Sequence, residues 1–130
     1  SIPEFLGDRE RLIQAILNVV NNAINALKSE QTPAPKITFK TRIQRQFTIG
    51  KTFHRALCRV DIIDNGPGVP EKLIDTIFYP MISGHDGGSG LGLPIAQSVL
   101  SQHQGLIECK SEPGNTCFSL YLPLNTGDTK

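Results

Sequence analysis

The chain holds 130 residues, enough for one domain with its own hydrophobic core. Apolar residues make up 38% and charged residues 19%, a balance that excludes wholesale disorder. The net charge of +1 excludes a general electrostatic grip on nucleic acid or an anionic membrane, and no apolar run approaches the roughly 20 residues of a spanning helix.

The opening Ser1-Ile-Pro-Glu-Phe-Leu6 lacks the basic start and long apolar stretch of a signal peptide, and without a starting Met it reads as a fragment or processed chain. Asp8 is a good N-cap, and a helix is expected from Arg9 to Lys28, with Leu12, Ile16, Val19, Ala23 and Leu27 at helical spacing. Gln31-Thr-Pro-Ala-Pro35 breaks it. Lys36 to Phe47 and Ala56 to Asp64 alternate as two strands joined around Gly50. A short helix is expected from Glu71 to Ile77, then a glycine-rich stretch, Phe78 to Gly90, able to move. A second long helix runs from Leu91 to His103, with Gly105 as its C-cap. Leu106 to Ser111 and Thr116 to Leu122 form a hairpin turning at Pro113-Gly114-Asn115. Residues 1–124 read as one domain and 125–130 as a disordered tail. The fold class is α+β, with helices on one face of a largely antiparallel sheet. Cys58, Cys109 and Cys117 have no C-x-x-C spacing; they read as buried hydrophobes of a cytoplasmic protein, not as disulfides or zinc ligands.

Three features point to chemistry. On a helical wheel with Gln14 at zero, Asn25, Asn18 and Asn22 fall at roughly 20°, 40° and 80°, making a stripe of amides. Ala15 and Ala26 flank it, small enough to admit a ligand. Asn is a mediocre helix former, so the stripe is either a solvated face or a set of neutral oxygen ligands for a hard cation such as Mg2+. Second, Asp64 ends a strand face otherwise made of Cys58, Val60 and Ile62, with no basic residue following it nearby in sequence. It is either an Asx-turn or a carboxylate reserved for the exocyclic amine of a purine, with Gly66 and Gly68 allowing a flat ligand to approach. Third, Gly88-Ser-Gly-Leu-Gly-Leu93 opens a helix, as either a hinge or an anion site made of backbone N–H groups. Gly50-Lys51-Thr52 imitates the end of a P-loop, but Arg45 stands where that motif needs Gly and strands flank it on both sides.

In chain order, Asn18-Val-Val-Asn-Asn22-Ala, Asp64-Asn-Gly-Pro-Gly68, Phe78-Tyr-Pro80 and Gly88-Ser-Gly-Leu-Gly-Leu93 resemble the N, G1, F and G2 boxes of the ATP-binding catalytic domain of sensor histidine kinases. The wider group, with gyrase, HSP90 and MutL, shares the Bergerat ATP-binding fold. The resemblance covers nearly the whole chain and is similar in flavour to the nitrogen-regulation kinases. It implies a two-layer α/β sandwich with a mixed five-stranded sheet under three helices. It also implies that Asn22 binds Mg2+, that Asn18 lies beside the ATP phosphates and that Asp64 reads adenine. Gly66, Gly68, Gly88, Gly90, Leu91, Gly92 and Leu93 belong to its boxes, and Thr116 matches a residue that reaches adenine through water. Asn25 and Ala26 depart from the basic residue and Tyr of many relatives, while His85 stands where some carry a lid Lys, as either a cation near the terminal phosphate or an exposed loop residue.

ATPases of the wider group use a Glu, one turn before the metal Asn, to activate water. Asn18 stands there instead and cannot act as a base. The resemblance therefore implies phosphoryl transfer to a His on a separate dimerisation domain, in a homodimer when full length, with a response regulator downstream. His54 and His103 do not fit as the acceptor, and His103 reads as a favourable charge at a helix C-terminus. A competing reading is a docking module that binds nucleotide without transfer, with the PII protein as partner. Phe78, Tyr79, Met81 and Ile82 read as exposed apolar residues that either close the lid or, the favoured reading, dock on the His-bearing helices.

Overall fold

A computed structural model describes residues 2–74, 76–78 and 92–123. Helix α1 (Ile2–Ser29) leads into strands β1 (Ile37–Ile49) and β2 (Thr52–Asp64), followed by a single-turn helix α2 (Glu71–Ile74), helix α3 (Gly92–Gln102), and strands β3 (Leu106–Glu112) and β4 (Asn115–Pro123). The sheet runs β1-β2-β4-β3, and each neighbouring pair is antiparallel. A mixed sheet of five strands is therefore not what the described residues form. Both sequence-adjacent pairs close through two-residue turns, which force antiparallel pairing. At the first turn the left-handed φ of 61° falls on Gly50, which settles the P-loop lookalike as a hairpin tip. At the second, Pro113 precedes Gly114 at φ 85°, the order a type II turn requires.

Helix α1 starts at Ile2, so Asp8 lies within it and is not its N-cap. Pro3 in the first turn is compatible with that start, since the first helical N–H groups have no acceptor to lose. Both long helices end in the same way. Gln31 and Gln104 take left-handed φ values of 51° and 63°. Thr32 N–H then donates to Leu27 O (3.0 Å), and Gly105 N–H donates to Leu100 O (2.7 Å). These are Schellman closures. The left-handed residue after α3 is thus Gln104 rather than Gly105. Gly105 is glycine for another reason: a Cβ there would lie 2.3 Å from the carbonyl oxygen of Tyr121.

The core fills the space between the two long helices and one face of the sheet. Val19 and Ala15 of α1, Ala96 and Leu100 of α3, Ile62 of β2, and Phe118 and Leu120 of β4 form it. Ala15 and Ala96, both wholly buried in the shared core, let α1 and α3 pack side by side, and Arg11 donates to Gln102 Oε1 across that seam. Ala15 is fully buried, so its small size serves helix packing and not ligand approach. Among the described residues the other sheet face is covered by side chains and not by a helix. Phe47 stacks on Tyr121 with ring centroids 4.8 Å apart, and the Arg59 guanidinium lies 5.3 Å above the same ring. β1 is an edge strand, and Phe39 and Ile43 on its helix side remain about half exposed. Among the described residues no helix is long and apolar enough to cross a membrane.

Candidate functional site

Alternation along β2 sets where the carboxylate of Asp64 points. Val60, Ile62 and Asp64 share the core face, and Ile62 is wholly buried. Asp64 is 5% exposed, yet no cation pairs with it among the described residues. Its Oδ1 accepts the Gly66 N–H at 2.9 Å, and its Oδ2 has no hydrogen-bond partner among those residues. Burial pushes this carboxyl above its ordinary value, against the pull of the Gly66 N–H. The group is therefore an Asx-turn acceptor on one oxygen and an uncommitted acceptor on the other.

The loop after Asp64 is tied down from three sides. Asn65 Nδ2 donates to Ala34 O (2.9 Å) and its Oδ1 accepts Lys36 N–H (2.8 Å), which clamps the connection between α1 and β1. Gly114 N–H donates to Gly66 O (2.9 Å) from the tip of the second hairpin. Ser111 Oγ accepts Val69 N–H (2.8 Å) and lies 2.9 Å from Thr116 Oγ1. Thr116 is 3% exposed and pairs in register with Asp64 on one side and Ser111 on the other. The glycines of this loop are close to protein. A Cβ at Gly66 would lie 3.0 Å from Asp64 Oδ1 and 3.2 Å from Leu27 Cδ2. One at Gly68, whose φ is 93°, would lie 2.8 Å from Ser111 Oγ. Both positions need glycine for internal packing before any ligand is considered.

The amide stripe meets this loop along α1. Asn18 and Asn22 are half-buried, while Asn25 is exposed. Gln14 Nε2 donates to Asn18 Oδ1 (3.2 Å), leaving the Asn18 amide N–H groups to donate elsewhere. The Asn22 side chain makes no hydrogen bond among the described residues, so its oxygen can take a cation. At the start of α3, a Cβ on Gly92 would lie 3.8 Å from both Asn18 Cβ and Asn18 O. The helix N-terminus therefore meets the amide stripe at Asn18, and Leu27 of the same helix touches the Asp64 loop. The axial rise from Asn18 to Leu27 is about 13 Å, on the scale of an extended nucleotide. Leu93, the next residue, is buried in the core and anchors α3 there.

His85, Gly88, Gly90 and Leu91 lie outside the described residues, as do Tyr79, Met81, Ile82 and the 125–130 tail. Phe78 is half-buried and meets Phe118 edge-on, with centroids 6.2 Å apart. It packs against the core and is not fully exposed. His103 Nδ1 lies 2.8 Å from Val99 O and acts by that contact at the end of α3. The cysteines are free, and burial pushes the Cys109 thiol up to about 11, which leaves it unreactive. Sequence reading missed Asn65 and Ser111. Both were visible as polar residues beside a box glycine or strand end, but their partners are 29 and 42 positions away.

A cavity of about 510 Å3 opens between the C-terminal end of α1 and the start of β1, with Ile24, Leu27, Thr32 and Ile37 among its walls. It shares Leu27 and Thr32 with the surroundings of Gly66 but includes none of Asn18, Asn22, Asp64 or Thr116. The candidate site is therefore defined by side-chain placement and not by this cavity.

Residues 7–126 match the family described as histidine kinase-, DNA gyrase B-, and HSP90-like ATPase. The chain is 48% identical over 124 residues to the sensory histidine kinase/phosphatase NtrB of Klebsiella oxytoca, covering 95% of this chain and 35% of that protein. It is 36% identical over 126 residues to NtrB of Rhodobacter capsulatus, with the same two coverages. The chain thus spans about a third of the curated relatives it matches. Among solved structures, the nucleotide-free catalytic domain of histidine kinase ThkA superposes with a TM-score of 0.70 at 29% identity, covering 89% of this chain and 68% of that one. The mycobacterial sensor histidine kinase MprB gives 0.63 at 25% identity, covering 85% and 70%.

Proposed function

Because the chain belongs to the histidine kinase-, DNA gyrase B-, and HSP90-like ATPase family, we propose that it is the ATP-binding catalytic domain of a two-component sensor histidine kinase of the nitrogen-regulation type. The observation that carries the reading is Asp64. A nearly closed carboxylate that, among the described residues, has one free oxygen and no cation is costly unless a ligand donates to it. The exocyclic amine of adenine is such a donor, whereas guanine offers an acceptor at that position. Thr116 and the loop through Gly66 and Gly68 complete the base end of the site.

At the other end, Gly92 at the start of α3 lies beside Asn18 of α1, where the backbone N–H groups of a helix N-terminus and a side-chain amide suit phosphate oxygens. Gly88, Gly90 and Leu91 extend that backbone in sequence, and His85 is assigned as the cation beside the terminal phosphate. Asn22 would hold Mg2+ through its amide oxygen, and the ion would neutralise charge on the phosphates. Asn18 orients phosphate and takes no proton, so water stays unactivated. The acceptor is then a His on the dimerisation domain of the same kinase, in a homodimer, with a response regulator receiving the phosphoryl group next. Residues 1–124 make up this domain and 125–130 form a tail. The same reading puts the domain in the cytoplasm, where free cysteines persist.

Titration of the purified chain with ATP and GTP, with and without Mg2+, tests the reading. Tighter binding of ATP, strengthened by Mg2+, is expected, with slow hydrolysis and with phosphorylation of the added dimerisation domain. Absence of ATP binding, or rapid hydrolysis by the chain alone, overturns it.

A further inference from the structure

Resting on the adenine-binding reading above, we infer that Ser111 is a positioning residue that fixes which way the Thr116 hydroxyl points and thereby sets base selectivity. A serine hydroxyl has two lone pairs and one hydrogen. Val69 N–H occupies one lone pair at 2.8 Å. The Ser111 hydrogen has one acceptor among the described residues, Thr116 Oγ1 at 2.9 Å. Donation in the other direction would leave the Ser111 hydrogen without a partner in a half-buried site, which is unfavourable. The chain of donors therefore runs from Val69 N–H through Ser111 to Thr116, each bond strengthening the next. The Thr116 hydrogen is left pointing away from Ser111.

Thr116 stands opposite Asp64 in the β2–β4 register. On that side the site then offers a hydroxyl donor beside a carboxylate acceptor. Adenine presents the complement, a ring-nitrogen acceptor next to an amine donor, whether met directly or through a water. Guanine presents the reverse order on the same edge, a ring N–H donor next to a carbonyl acceptor. Ser111 touches neither base nor phosphate in this arrangement; it acts through Thr116. Gly68 leaves room for it, since a Cβ there would lie 2.8 Å from Ser111 Oγ.

The test is calorimetric titration of ATP and GTP into the whole chain for four proteins: the parent, Ser111→Ala, Thr116→Val and the double variant. Ser111→Ala is expected to lower the ATP-to-GTP affinity ratio about ten-fold, the scale of one buried hydrogen bond, while the strengthening by Mg2+ is unchanged. In the Thr116→Val background the same change should move the ratio less than about two-fold, because the partner is already gone. Ser111→Cys keeps the volume with a weaker donor, so its ratio should fall between parent and Ser111→Ala; it also serves if the alanine variant does not fold. A parent that binds ATP selectively, with a ratio unmoved by Ser111→Ala or Ser111→Cys, overturns this inference alone. So does an equal loss in the Thr116→Val background. A parent that does not bind ATP overturns the nucleotide-binding reading instead.

Discussion

Asp61 and Asp64 sit three residues apart on β2, on opposite faces of the sheet, and are closed to solvent to nearly the same degree, at 6% and 5% exposure. Each faces a hydroxyl residue across the β2–β4 ladder, Ser119 and Thr116 respectively. There the likeness ends. Asp61 accepts Ser119 Oγ–H at 2.7 Å and Arg59 Nε–H at 2.9 Å, with Arg42 at 3.9 Å. Burial alone would raise its carboxyl, but the Ser119 and Arg59 hydrogen bonds outweigh it and hold the group below its ordinary value. Thr116 is engaged by Ser111, no cation among the described residues reaches Asp64, and burial raises that carboxyl. One carboxylate is satisfied within the protein and stabilises the bare face of the sheet. The other is kept short of partners on the face where a ligand can supply them. Burial by itself distinguishes nothing; the partner inventory does.

Four measurements break or sharpen this contrast. The largest effect is expected from Asp61→Ala, which strands a mostly buried Arg59 and should cost about 3 kcal/mol, or roughly 10 °C in Tm. ATP affinity of the folded protein should stay within about two-fold. Asp64→Asn should do the converse, weakening ATP about 100-fold by titration with no fall in Tm, because it removes an uncompensated charge. A Tm loss as large as that of Asp61→Ala would erase the distinction between the two sites. Gly66→Ala is smaller, since the new Cβ would lie 3.0 Å from Asp64 Oδ1 and only nudge the carboxylate; ATP affinity should drop about ten-fold.

The last test is pH. The Asp64 carboxyl is raised, so the ionised form that accepts the amine begins to disappear above the ordinary value of 3.8 as pH falls. Its protonation relieves the burial cost, so this site alone makes the fold more stable as pH falls through its raised value. Asp61 has the opposite sign. Its stabilisation is present above 3.8 and is lost as pH falls through its depressed folded value. On mild acidification, ATP binding should therefore weaken before the Asp61 contribution to stability does. Titrations and melts of the parent beside Asp64→Asn, which lacks this step, measure the order. Simultaneous loss in both proteins would contradict it.

Much of this was legible from the chain. Helical spacing located α1 and α3, and alternation located four strands, because burial on one face imposes period 3.6 or 2 on apolar residues. The residue pattern was the better guide to the sheet: it predicts a largely antiparallel one, and the mixed five-stranded form came from the resemblance alone. Strand ends were less legible. β1 and β2 run on to Ile49 and Thr52, past the point where apolar alternation fades, because main-chain pairing in a hairpin continues without it. Helix ends misled for a similar reason. Gln31 and Gln104 take left-handed conformations that composition assigns to glycine, and their hydrogen-bond closures carry the strain.

Sequence alone determined that a carboxylate ends a core-facing strand, that amides line one side of the first helix, and that glycines open the second long helix. These are local patterns, fixed by the geometry of one element at a time. Only the tertiary structure decided that Gly92 meets Asn18, that Ser111 holds both Val69 and Thr116, and that, among the described residues, Asp61 has cations while Asp64 has none. Those facts depend on which strands become neighbours, and pairing between distant segments is set by how the whole core closes and not by any short stretch of chain.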